Sequence, residues 1–226
     1  MNVLVVAAHP DDELLGCGGT AARLAREGHS LYMAILGEGI TSRGAKREEA
    51  DALDLKRLKA CSQRVSDLLG VKELSLHELP DNRFDSLPLL DVIKIVEGLI
   101  ERWRPTSIYT HHGGDLNLDH QIVSRAVLTA TRPVKDHPVR ELYMFEIASS
   151  TEWAFQQLSP VFKPNVFVDI EETLPLKLEG MRLYESEART FPHPRSPEAL
   201  AAIARRWGSV VGRSAAEAFE AVRLIR

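Results

Sequence analysis

Three acids and a histidine crowd into the run Ala8-His9-Pro10-Asp11-Asp12-Glu13, close to the start of a 226-residue chain. Like charges packed so closely repel one another and disfavour their ionised forms. A metal cation removes that cost, because the ion is the largest charge in its site and favours ionised carboxylates. Pro10 sets the backbone between His9 and Asp11. His9 and Asp12, three residues apart, could then converge on one ion while Asp11 points elsewhere. A purely structural account has Asp11 or Asp12 capping a helix that begins here, with Glu13 favoured in its first turn. It explains one acid, but not His9 or all three acids together.

A second cluster lies downstream in Tyr109-Thr110-His111-His112-Gly113-Gly114-Asp115-Leu116-Asn117-Leu118-Asp119-His120. His120 stands at the start of a helical pattern, with Asp119 as a plausible N-cap before it. Two histidines and one carboxylate, with a fourth position open, is how catalytic zinc is usually held. His9, Asp12 and His120 meet that count. A lone histidine is more often structural, and His29, His77 and His137 are read that way. His111 and His112 alternate at a strand end, so one faces the crevice and the other the wall.

These clusters need elements to hold them. Residues 2–8 form an apolar, β-branched run of the kind buried on both faces of a sheet. Further strands are expected at 30–36, 73–79, 107–110 and 141–147. Helices are expected at 13–27, 47–69, 88–103 and 119–131, with Gly28 and Gly70 closing the first two. Strands alternating with helices across short loops imply a parallel sheet covered on both faces. Residues 151–226 differ, with one strand-like run at 166–170 and helical segments at 174–184 and 197–211. The expected fold is α/β: a Rossmann-like three-layer sandwich, mostly parallel, with a core over about 1–150 and a C-terminal elaboration over about 151–226, in a single domain. In such sheets ligands bind at the carboxyl ends of strands, where strand order reverses, and both clusters lie at strand ends. A dinucleotide is the competing ligand, since Gly16, Gly18 and Gly19 follow the first strand. Its fingerprint places glycines in the turn itself, whereas this turn is filled with acids that would repel phosphate.

Composition narrows the partners. Hydrophobic residues make up 44% of the chain, enough for a sizeable core without staples. A net charge of −4 and the lack of a basic stripe argue against nucleic acid. No apolar stretch is long enough for a membrane span. Cys17 and Cys61 form no framework, and the N-terminus shows no basic leader. A cytoplasmic location is the expectation.

The run Ala8-His9-Pro10-Asp11-Asp12-Glu13, with Asp119-His120 far downstream, resembles the PIG-L/LmbE family of zinc-dependent N-acetylglucosaminyl deacetylases. Gly37-Glu38-Gly39, Thr41-Ser42-Arg43 and Leu79-Pro80-Asp81-Asn82 support the resemblance. So does Phe191-Pro192-His193-Pro194-Arg195-Ser196, which is similar to the bacterial branch. The resemblance implies Zn2+ held by His9, Asp12 and His120, with Asp11 as general base, and Glu13 is a weaker candidate for that base. It implies that Arg43 and Asp81 line a sugar pocket, and that the chain assembles with copies of itself as a trimer or hexamer. Many members carry a histidine three residues before the last ligand to steady the oxyanion. Asn117 stands there in this chain, so either Asn117 donates from its amide or another histidine supplies the bond, His193 being the candidate and His111 and His112 the alternatives. The implied reaction is hydrolysis of an N-acetyl or similar N-acyl group from an amino sugar. A non-catalytic sugar- or metal-binding protein on the same fold is the alternative, but it would need no base beside its metal.

Overall fold

A computed structural model describes residues 1–43 and 51–226, with side chains described for 1–42 and 51–226. Its elements run β1 (Asn2–Ala7), α1 (Asp12–Arg26), β2 (Ser30–Gly37), α2 (Ala52–Leu69), β3 (Glu73–Leu79), α3 (Leu89–Trp103), β4 (Ser107–His111), α4 (Leu118–Ala130) and β5 (Glu141–Phe145). They continue with β6 (Val166–Asp169), α5 (Leu174–Leu183), α6 (Pro197–Val210) and β7 (Ala216–Leu224). The strands form one seven-stranded sheet in the order β3-β2-β1-β4-β5-β7-β6. The first five are parallel, and β7 runs antiparallel to both β5 and β6. Strand order reverses between β1 and β4, which is the crevice position such sheets use.

β1 is buried on both faces, as its unbroken apolar run requires. Val3 and Val5 join a core with Leu31, Met33, Leu14 and Met181 under α1 and α5. Leu4 and Val6 join the opposite core, with Val92, Val96, Val123 and Val127 of α3 and α4. Helices therefore cover both faces, in the expected three-layer arrangement.

The elaboration departs from expectation in one respect. No strand is read near the C-terminus, yet β7 enters the sheet between β5 and β6. Its first residues, Ala216-Glu217-Ala218, are weak strand formers, and a buried glutamate masks the alternation. Tertiary partners override that preference. α1 is broken at Cys17 (φ −150°, ψ 22°), and a buried ion pair fills the break. Glu217 Oε1 and Oε2 accept the N–H groups of Gly19 (3.0 Å) and Thr20 (2.7 Å). Lys177 Nζ donates to Leu15 O (2.8 Å) and to Glu217 Oε1 (2.5 Å). Side chains thus replace backbone partners where the helical ladder opens. Gly16 packs here against Phe145, where a Cβ would fall 2.4 Å from a ring carbon. That close approach accounts for this glycine without a nucleotide.

Candidate metal centre

β1 ends one residue before the Ala8-His9-Pro10 turn, and α1 begins at Asp12 with Asp11 as its N-cap residue. Asp11 adopts φ 100°, ψ −24°, and its side chain makes no capping bond. A non-glycine residue in this region costs on the order of 1–3 kcal/mol. The strained backbone turns the Asp11 carboxylate off the helix and onto Arg195, whose Nη1 donates to Asp11 Oδ2 at 2.9 Å. Asp12 folds back instead, its Oδ2 accepting the His9 N–H at 2.8 Å. Gly37, at the end of β2, donates its N–H to Ala8 O at 2.7 Å. A Cβ there would come within 3.2 Å of the His9 ring, so only glycine lets β2 pass this turn.

His120, in the first turn of α4, meets Asp12 from the other side of the crevice. Its Nε2 lies 3.2 Å from Asp12 Oδ2, and His9 Nδ1 lies 3.4 Å from the same oxygen. One ligand atom from each of His9, Asp12 and His120 falls within 4.8 Å of the others. An ion about 2.1 Å from tetrahedral ligands holds them about 3.4 Å apart, so the group fits. Asp12 Oδ1 is buried without a hydrogen-bond partner, an orphan acceptor that a cation would satisfy. His9, Asp81 and Asp119 form a second close group. There the carboxylates are already engaged, Asp119 Oδ1 by the Phe84 N–H (2.9 Å) and Asp81 Oδ2 by Ser42 N and Oγ. The first group is the better metal site.

Each histidine also has a carboxylate on its far nitrogen. His9 Nε2 lies 2.9 Å from Asp119 Oδ2, and His120 Nδ1 lies 3.1 Å from Asp115 Oδ1. Such partners fix the tautomer and leave the other nitrogen free for a metal. Asp115 is itself held by the hydroxyls of Ser150 and Thr151, the latter at 2.6 Å. Burial opposes charge on His9, but Asp119 and Asp12 outweigh it and lift its pKa to about 10. Burial likewise opposes charge on His120, yet Asp12 and Asp115 lift it to about 9. The crevice favours cations, and a metal must displace these protons to bind.

The remaining acids separate by environment. Burial pushes Asp11 well above the usual carboxylate range, against the pull of Arg195. Glu13 is raised to about 7, again chiefly by burial. It turns away from the crevice, however, accepting from the Tyr184 hydroxyl (2.5 Å) and the Asp11 N–H (3.1 Å). His111 is fully buried and does not line the crevice, but it stacks on His120 with ring centroids 4.1 Å apart. Burial holds it neutral, with a pKa near 3. His112 faces away, its Nε2 3.2 Å from Glu220.

Other expectations meet mixed outcomes. Asp81 and Asn117 line the same crevice of about 230 Å³ as His9, Asp12 and His120. The N-cap of α4 is Asn117, not Asp119: the Asn117 side chain accepts the Asp119 N–H at 2.8 Å, which frees the Asp119 carboxylate for His9. The Arg43 side chain lies outside the described residues. His193 does not line the crevice; its Nδ1 accepts the Arg195 N–H at 3.1 Å and its ring meets Trp153 edge-on. Arg195, two residues on, reaches in. A larger cavity of about 590 Å³, lined by residues such as Phe155, Phe162 and Trp207, contains none of the three ligands. Chemistry rather than size decides between the two. Asp115 and Asp119 were open to sequence reasoning, since a histidine ligand calls for a carboxylate behind it. Arg195 offered no such local signal.

A family model for PIG-L, GlcNAc-PI de-N-acetylase, matches residues 4–131. The chain belongs to this family. A deacetylase of Escherichia coli K12, uncharacterized deacetylase YaiS, is 27% identical over 192 residues, covering 82% of this chain and 91% of that protein. The diacetylchitobiose deacetylase of Thermococcus kodakarensis is 28% identical, covering 82% of this chain and 70% of its own. Among solved structures, the conserved protein TT1542 from Thermus thermophilus superposes with a TM-score of 0.77 at 24% identity, over 99% of this chain and 96% of that one. PIG-L membership makes the chain a hydrolytic enzyme of the deacetylase class. No described helix is long and apolar enough to cross a membrane.

Proposed function

We propose that this protein is a zinc-dependent deacetylase that removes an N-acetyl or similar N-acyl group from an amino sugar or sugar conjugate. The observation that carries the reading is a buried carboxylate, Asp11, next in sequence to a ligand of a three-residue metal group. A binding module has no use for such a base. Relatives named diacetylchitobiose deacetylase and "probable N-acetyl-alpha-D-glucosaminyl L-malate deacetylase 2" support an N-acetylated sugar as substrate.

His9, Asp12 and His120 would hold the ion, which when bound lowers the pKa of a water and polarises a carbonyl. Asp11 accepts a proton from the attacking water and later returns it to the amine. Asp119 and Asp115 hold the two histidines in the tautomers this requires. Asp81 and Asn117, with Arg43, position the sugar, and His193 buttresses the turn that carries Arg195. We place the enzyme in the cytoplasm, as a single domain that assembles into trimers or hexamers. Zinc-loaded protein incubated with a panel of N-acetylated amino sugars should release acetate and a free amine. Stoichiometric zinc without acetate release from any member would leave the non-catalytic reading in place. Light scattering at the monomer mass would remove the assembly.

A further inference from the structure

Hydrolysis of an amide puts negative charge on the acyl oxygen, and that charge needs a donor aimed at it. The described crevice offers few. The Asn82 Nδ2 hydrogens go to Ser42 Oγ (3.0 Å) and Asp81 Oδ1 (3.1 Å). Asn117 Nδ2 gives one hydrogen to Asn82 Oδ1 at 2.8 Å while its oxygen caps α4, leaving one neutral N–H to set against a guanidinium. His111 Nε2 accepts the Ala8 N–H at 2.8 Å, and its Nδ1 is enclosed without a partner. His120 lies between two carboxylates, Nε2 3.2 Å from Asp12 and Nδ1 3.1 Å from Asp115, and is one of the three proposed ligands. Arg195 is different. It lines the crevice, donates Nε to Ser149 Oγ (2.8 Å) and Nη1 to Asp11 Oδ2 (2.9 Å), and has Nη1 3.5 Å from Glu187. Its Nη2 has no hydrogen bond among the described residues.

We propose that Arg195 is a catalytic residue, its guanidinium donating to the acyl oxygen as that oxygen becomes negative. The proposal rests on the hydrolase reading above and follows from where the charge goes. As the water oxygen bonds to the acyl carbon, one water proton passes to Asp11 and the carbonyl π pair moves onto oxygen. Asp11 becomes neutral and loosens its hold on Arg195 at the moment the acyl oxygen becomes the anion. The negative charge has moved from one neighbour of the guanidinium to another, and a planar fork can face both. When the π pair returns, the C–N bond breaks and the amine nitrogen takes the proton from Asp11. The products are a free amine and a carboxylic acid, which loses its remaining proton to solvent.

The test starts from zinc-loaded wild-type protein with measurable turnover; its absence would count against the hydrolase reading and not against Arg195. Given turnover, Arg195→Ala should lose about 10²–10³ in kcat, with KM little changed and zinc content kept. Guanidinium ion added to that variant should restore at least about tenfold of the loss, whereas sodium at equal ionic strength should not; free guanidinium can fill the vacated place as a donor. A kcat within about threefold of wild type, or a loss that guanidinium leaves untouched, overturns the proposal. Should Arg195→Ala fail to fold, Arg195→Lys decides, because it keeps the charge but not the fork. A kcat still down about tenfold or more at unchanged KM supports the role, and wild-type kcat overturns it.

Discussion

Residues 1–145 carry all three metal-ligand candidates and the base beside them, while residues 146–226 carry none. Yet the second segment reaches Asp11 directly and His120 through the carboxylate behind it. Arg195 lies on Asp11, Ser150 and Thr151 hold the carboxylate behind His120, and Tyr184 takes Glu13 out of the crevice. Lys177 and Glu217 fill the break in α1, one turn past Asp12 and Glu13. The parallel half therefore supplies the groups that would touch an ion, and the later half sets their charge and aim. Removing a ligand from the first region should act all-or-none on zinc; changes in the second, or in Asp115 through which Ser150 and Thr151 act, should be graded.

The sharpest break of this comparison is His120→Ala. Removing one of three ligands should leave the chain without stoichiometric zinc and without turnover, while circular dichroism keeps its wild-type shape. Zinc retained at one per chain would remove His120 from the ligand set. Asp11→Asn keeps size and deletes the base, so kcat should fall by about 10²–10⁴ with zinc content unchanged. Loss of zinc in that variant would exchange the roles of Asp11 and Asp12.

The graded region is tested first through stability. Glu217→Gln leaves Lys177 buried without its counter-charge, which costs about 3–5 kcal/mol. Adding Lys177→Met removes the stranded charge and should recover part of that loss. Urea denaturation of the full chain reads both. A double variant no more stable than the single one would mean that the pair acts only through its bonds to α1. A smaller change is expected for Asp115→Asn, which keeps shape but weakens the grip on the His120 ring. Zinc affinity should fall by about 10–100-fold. Unchanged affinity would show that the C-terminal hydroxyls do not act through Asp115.

The same division explains what could be read in advance. β1 and β2 announce themselves by unbroken apolar runs, β3 by its alternation, and His9 to Glu13 by acids crowded at a strand end. All are local signals. β7 is invisible in the sequence because Ala216, Glu217 and Ala218 make a strand only where Lys177 and the open ladder of α1 receive Glu217. Asp119 reads as a helix cap because spacing cannot distinguish a cap from the carboxylate behind a histidine. Arg195 meets Asp11 across 184 positions, a separation at which no periodicity operates. His193 draws attention because Asn117 stands where many family members carry a histidine, and His193 sits in a turn held by Pro192 and Pro194. Its ring serves the backbone of the residue that does reach the crevice.

His193→Ala should give the smallest effect. The ring is partly exposed, lies outside the crevice lining, and makes one described hydrogen bond, accepted from the Arg195 N–H. A bond of this kind is worth about 0.5–1.5 kcal/mol. If all of that loss appeared as a displaced guanidinium, kcat would fall by only about two- to tenfold. KM and zinc content should not move. Arg195→Ala should exceed it by an order of magnitude or more, since it removes the donor instead of loosening its tether. Combining the two should cost no more than Arg195→Ala alone, because a tether has nothing left to position once the guanidinium is gone. An additive double variant, or a single His193→Ala defect as deep as that of Arg195→Ala, would give His193 a role of its own in the reaction.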